Sequence, residues 1–155
     1  MRVVLADRNW QAEQKLSREQ QEIGKKRLEL AAVLQYTLPG VPSLYYGDEV
    51  GTEGFGDPFC RSFFDWENVD KELTEFYKKL GNFRRSNSVF KDGEFIPLHF
   101  ENGCVTYLRK RDKDFVLVGV NLKSEEKEIE IPEKLSKEKI KISPMDFCLF
   151  SGKIK

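Results

Sequence analysis

Leu30, Leu34 and Leu38 recur every fourth residue, and Leu28, Ala31, Ala32 and Val33 fill the neighbouring faces. That spacing is helical, and so broad an apolar stripe implies burial on more than one side. Ser17 and Gln20 form an S-x-x-Q capping box, which predicts the helix start. Pro39 and Gly40 end it, because neither continues a helix comfortably. In "VPSLYYG", residues 41–47, the helical period disappears. A short apolar run between breakers predicts a strand covered on both faces. A long loop follows, until Asn68 or Asp70 caps a second helix. Its stripe is Leu73, Phe76, Tyr77, Leu80 and Phe83, with Lys71, Lys78, Lys79 and Arg84 largely on the wet side.

From about Ser88 the texture changes to short β-prone runs at even spacing: "EFIPLHF", "CVTYLRK", "FVLVGVNL", "KEIEI", "IKI" and "FCLF". "ENG" (101–103) and "RDKD" (111–114) carry turn chemistry between them. Residues 115–122 alternate, which predicts one buried face. "EKLSKEKIK" (133–141) reads as a charged, solvated connection. The fold class is therefore α+β, with an antiparallel β-sandwich at residues 87–155. Residues 1–86 supply helix, strand, loop and helix, and a single strand forms no sheet, so this half needs partners.

Charge excludes some functions. Twenty-six basic residues balance twenty-six acidic ones, giving no reason to propose nucleic acid or an anionic membrane as partner. No apolar run approaches the ~20 residues that cross a bilayer. The three cysteines, Cys60, Cys104 and Cys148, lack CxxC spacing. They read as free thiols in a reducing compartment, so a cytoplasmic location is expected. No cluster has metal-ligand spacing, and no cofactor is implied.

The loop carries the sharpest pattern. Pro39-Gly40, Tyr45-Tyr46-Gly47-Asp48-Glu49 and Asp57-Pro58-Phe59-Cys60-Arg61 together resemble the last barrel strand and following loop of the α-amylase family of glycoside hydrolases. The closest likeness is to the neopullulanase, cyclomaltodextrinase and maltogenic amylase branch. "FYKKLGNFRRSNSVFKDGEFIPL" and "ISPMDFCLF" are similar to that family's final barrel helix and terminal sandwich domain. The resemblance implies the terminal helix-strand-helix segment of a (β/α)₈ barrel in residues 1–86, followed by the sandwich. Loops at the carboxyl ends of barrel strands build the active site, which accounts for so long a loop after so short a strand.

Retaining glycosidases need two carboxyl groups about 5 Å apart. By the resemblance, the family's catalytic acids precede the part matched by this chain, so no catalytic residue is assigned. Arg2 falls about where the family has an arginine after the last of those acids. Asp57 and Arg61 are expected to contact sugar hydroxyls in the intact enzyme, or to brace the loop by pairing with each other. Tyr46 joins them as a substrate-binding candidate. Asp48 and Glu49 are expected to structure the loop. Ser62 and Phe63 depart from the family pattern. Tyr46, Phe55, Phe59 and Trp66 could stack on sugar faces, although rim aromatics are more often core. His99 reads as a half-buried hydrogen-bonding residue.

The resemblance implies a carboxyl-terminal fragment of an enzyme that cleaves α-glucan oligosaccharides by retaining double displacement, the fragment itself being inactive. The alternatives are a non-catalytic glucan-binding or scaffold module, and a glucosyl transferase or isomerase of the same family. Leu34, Leu38, Leu44, Phe76 and Phe83 would leave an apolar barrel surface. Self-association through that surface is expected, or repacking onto the sandwich.

Overall fold

The structure is a computed structural model that describes residues 15–131 and 139–154. Arg2 and most of the 133–141 connection lie outside the described residues. Helix α1 (Arg18–Thr37) starts at the expected box: Ser17 Oγ accepts from Gln20 N at 3.3 Å, and Gln20 Oε1 accepts from Ser17 N at 2.9 Å. Helix α2 (Lys71–Ser86) is capped by Asp70, whose carboxylate accepts from Leu73 N at 2.9 Å. Lys25 Nζ on α1 reaches both Asp70 (2.9 Å) and Glu72 (3.1 Å), locking the two helices. The Asp70 carboxylate holds the Lys25 ammonium above the usual lysine range.

Residues 41–47 form no strand. A parallel strand needs neighbours for its slanted ladder bonds, and the described residues place none beside it. Val41 is 92% exposed, and Leu44, Tyr45 and Tyr46 are also exposed. The expected double-sided burial fails because it depended on flanking strands. Helix α3 (Val89–Asp92) is one turn, and it buries Val89 and Phe90.

The six β runs all form. Strands β1 (Glu94–Glu101), β2 (Cys104–Arg111), β3 (Asp114–Asn121) and β6 (Asp146–Lys153) make an antiparallel sheet in the order β1-β2-β3-β6. Asn102 and Gly103 turn β1 into β2 with φ of 51° and 70°. Strands β4 (Lys127–Ile129) and β5 (Ile140–Ile142) form a separate two-stranded ribbon.

Both faces of the sheet are covered. On one, Tyr107, Val116, Val118 and Val120 share a core with Leu30, Val33, Leu73, Tyr77 and Leu80 from the helices. Leu34, Leu38, Phe76 and Phe83 pack partly buried against that core, so most of the apolar set is covered where the helices lie on the sheet. The ribbon covers the other face through Ile129, Ile142, Cys104 and Cys148. Gly119 permits this approach, since a Cβ there would stand 2.6 Å from Ile142 Cδ1 and 2.8 Å from Cys148 Sγ. Phe115 through Asn121 are consequently all buried, where alternation suggested one buried face.

Two arginines fasten the helices to the sheet. Arg109 on β2 is 2% exposed and donates to Thr37 O (3.0 Å), Gly93 O (2.9 Å) and Val89 O (3.3 Å). Arg84 on α2 donates to Tyr36 O (2.5 Å), Gly40 O (2.6 Å) and Phe90 O (3.3 Å). Several of these acceptors sit at the carboxyl end of α1, where the helix dipole favours cations. Among the described residues neither guanidinium meets a carboxylate; carbonyl dipoles compensate the charge. Burial and then the Arg84 charge pull Arg109 below the usual arginine range. Beside this staple, Tyr107 Oη and Thr37 Oγ1 lie 2.7 Å apart in a buried hydrogen bond.

Candidate carbohydrate-contacting loop

Two glycines set the loop's geometry. Gly47 (φ 94°) and Gly51 (φ 73°) bracket a 3₁₀ turn at Asp48–Val50, and both φ values suit glycine because it lacks Cβ. Glu49 Oε2 accepts from Gly47 N at 2.9 Å, while the Asp48 carbonyl accepts from Gly51 N at 3.2 Å. Burial and then the Glu49 charge raise the Asp48 carboxyl above the usual aspartate range. The turn is fixed to α2 by Thr74 Oγ1 donating to Glu49 O at 3.1 Å, and Val50 is buried beneath it.

Glu53, which sequence reasoning did not single out, ties the loop to the start of α1. It accepts from Leu16 N at 3.1 Å and from Gln21 Nε2 at 2.5 Å. Nothing in its local pattern reveals partners more than thirty residues away.

Beyond a cis Asp57–Pro58 bond, a second 3₁₀ turn spans Phe59–Arg61. It brings Arg61 Nε within 2.6 Å of Asp57 Oδ1, with both side chains exposed. A pair this open to water contributes only a fraction of a kcal/mol, so both groups can be redirected by a ligand at small cost. Tyr46 Oη donates to Ser62 O at 3.1 Å. Tyr45 and Tyr46 lie 4.8 Å apart, tilted by 35°, and desolvation and then the Tyr46 hydroxyl raise the Tyr45 phenol above the usual tyrosine range. The loop thus assembles an exposed carboxylate, an exposed guanidinium and two half-exposed phenols. Such a set offers hydroxyl donors and acceptors beside apolar ring faces.

The remaining aromatics divide. Phe55 and Phe59 are half-buried, while Trp66 is 80% exposed and Phe63 is 99% exposed. His99, expected half-buried, is exposed on edge strand β1, beside a register shift at Pro97/His99. Among the described residues no group of His, Cys, Asp and Glu could hold a metal, and no helix is long and apolar enough to cross a membrane. The three cysteines are free thiols.

A helix pair over an antiparallel sheet, with a long glycine-bracketed loop ahead of the second helix, is the architecture of the carboxyl-terminal region of α-amylase-family enzymes. The structural comparison agrees: a cyclic α-maltosyl-(1→6)-maltose hydrolase from Arthrobacter globiformis, solved in complex with that compound, superposes with TM-score 0.74 at 21% identity. The match covers 83% of this chain and 30% of that one. In sequence, the chain is 44% identical over 90 residues to an amylopullulanase of Thermoanaerobacter thermohydrosulfuricus, covering 58% of this chain and 6% of that protein. It is 38% identical over 116 residues to a cyclomaltodextrinase of Thermoanaerobacter pseudethanolicus, covering 74% and 20% respectively. Maltogenic amylases are among the further matches. No family model matches. The chain is homologous to the carboxyl-terminal portion of α-glucan-cleaving glycoside hydrolases, and it spans a fifth or less of the length of these curated relatives.

Proposed function

We propose that this chain forms the carboxyl-terminal part of an α-glucan hydrolase, residues 1–86 belonging to its barrel and 87–155 to its sandwich domain. The loop after residue 47 reaches over the barrel mouth. Asp57 accepts from sugar hydroxyls, Arg61 donates to them, and Tyr46 lends a ring face. On this reading the carboxylates of the intact enzyme's retaining double displacement come from barrel segments other than those supplied here. The chain orients glucan, and other residues cleave it.

The observation that carries the reading is the open Asp57–Arg61 pair, held on a loop whose surroundings match cyclomaltodextrinases and amylopullulanases. The purified chain is expected to release no reducing sugar from maltotetraose or pullulan. It is expected to bind maltohexaose weakly by calorimetry, and Asp57→Ala and Arg61→Ala each remove most of that binding. Turnover above a buffer blank, or binding indifferent to both substitutions, would overturn it.

The second reading, a glucan-binding module working without chemistry, is favoured by the exposure of that pair in this chain alone. Micromolar binding by the isolated chain distinguishes it.

A further inference from the structure

The stretch 63–68 is built unlike a surface loop that merely connects. Asp65 accepts from Glu67 N (3.1 Å), Asn68 N (3.2 Å) and Asn68 Nδ2 (2.8 Å), which closes an Asx turn. The Asn68 amide, with those backbone donors, holds the Asp65 carboxyl below the usual aspartate range. Phe64, half-buried, packs against Trp66 with ring centroids 4.4 Å apart and planes at 47°. The turn and the phenylalanine together fix an indole that is 80% exposed. An indole held in place yet left open to water is an arrangement suited to stacking on a ligand, because little rotamer freedom remains to be lost on binding.

We propose that Trp66 is a stacking platform for a pyranose ring of an α-glucan, extending the Asp57–Arg61 site along the same loop. The proposal rests on the glucan-contacting reading of that loop and adds the residue that supplies apolar contact. Charge chooses the occupant. Trp66 lies between Asp65 and Glu67, both exposed. A second copy of this chain docked here about a two-fold axis would bring those acids face to face. A nucleic acid would be repelled outright. A neutral sugar is not: its C–H face lies on the indole, and its edge hydroxyls donate to carboxylates.

The test uses the 155-residue chain with Trp10→Phe, so that indole fluorescence reports Trp66 alone. Titration with maltohexaose is expected to shift the Trp66 emission. Trp66→Ala, followed by calorimetry, is expected to weaken binding about tenfold, with partial recovery in Trp66→Phe. Because the indole is exposed, both variants should keep the parent's circular dichroism and melting temperature. Weakening by Asp57→Ala but not by Trp66→Ala overturns the platform and leaves the loop reading intact. Weakening by Trp66→Ala alone overturns the polar assignment and keeps the platform. No fluorescence change at millimolar maltohexaose, or an oligomer that dissociates in Trp66→Ala by light scattering, overturns the platform.

Discussion

Replacing Arg109 by methionine removes the cation at the junction of helix and sheet while keeping an apolar side chain of some length. Three charge-assisted bonds disappear, at 2.9, 3.0 and 3.3 Å. Hydrogen bonds to charged groups contribute roughly 1.5–3 kcal/mol each. The gain is offset by the several kcal/mol it costs to bury a guanidinium away from water. What remains after truncation decides the net effect. Val89 O keeps the Gly93 N–H at 3.1 Å, but the buried carbonyl of Thr37 and the partly buried carbonyl of Gly93 lose this donor. Leaving buried acceptors in that state costs about 1–3 kcal/mol each, so a net loss of about 3 kcal/mol is expected. A further fraction follows from the guanidinium held over the Phe90 ring at 5.8 Å. Arg109→Lys should recover only part, because a single ammonium cannot span three divergent carbonyls as a planar fork does. Urea unfolding followed by circular dichroism measures this, with the slope checked for constancy. Arg111→Met is the control: its ion pair with Asp92 at 3.1 Å is substantially exposed, and its loss should cost no more than about 1 kcal/mol. If Arg109→Met costs less than about 1 kcal/mol, the staple does not bind the two layers and the reasoning fails.

Alkaline titration probes both faces of the sheet, Tyr107 on the helix side and Cys148 on the ribbon side. Burial, and then the neighbouring Cys104 and Asp146, push the Cys148 thiol from 9.0 up to about 11, and burial pushes the Tyr107 phenol from 10.0 to about 12. Both are held neutral when folded, so the unfolded chain sheds these protons first. Stability is therefore full below pH 9 and falls as pH rises towards about 11. Cys148→Ala should flatten that decline, and an unchanged profile would refute the assignment. Self-association is expected through the unpaired 41–45 segment, giving a concentration-dependent mass by light scattering that Val41→Lys lowers; a monodisperse monomer that binds no exposed-surface dye would contradict it.

Local chemistry was legible in the sequence wherever it is self-contained. The Ser17–Gln20 box, the Asn102-Gly103 turn and the six β runs depend on near neighbours, and all formed. The 41–47 strand did not, because its ladder bonds need strands that the described residues do not place there. Arg109 was invisible for a related reason. An arginine in "CVTYLRK" looks like a solvent-facing residue until α1 delivers the Thr37 carbonyl from seventy-two positions away. Residues 115–122 alternated as a half-buried strand should, yet the β4–β5 ribbon closed the second face. In the loop, the Asp57–Arg61 spacing showed that the two could meet. It could not show that Trp66 stays in water, since core and rim aromatics look alike in one dimension.

Arg84 has a consequence for how the loop is aimed. Its guanidinium grips the Gly40 carbonyl, where the chain leaves α1 and departs towards Tyr46. The same side chain also holds Phe90, on the threshold of the β layer. The loop's launching angle is thus inherited from the module behind it, as a crane's reach is set by its footing. Transplanting the loop into another scaffold would carry its chemistry but leave its bearing behind.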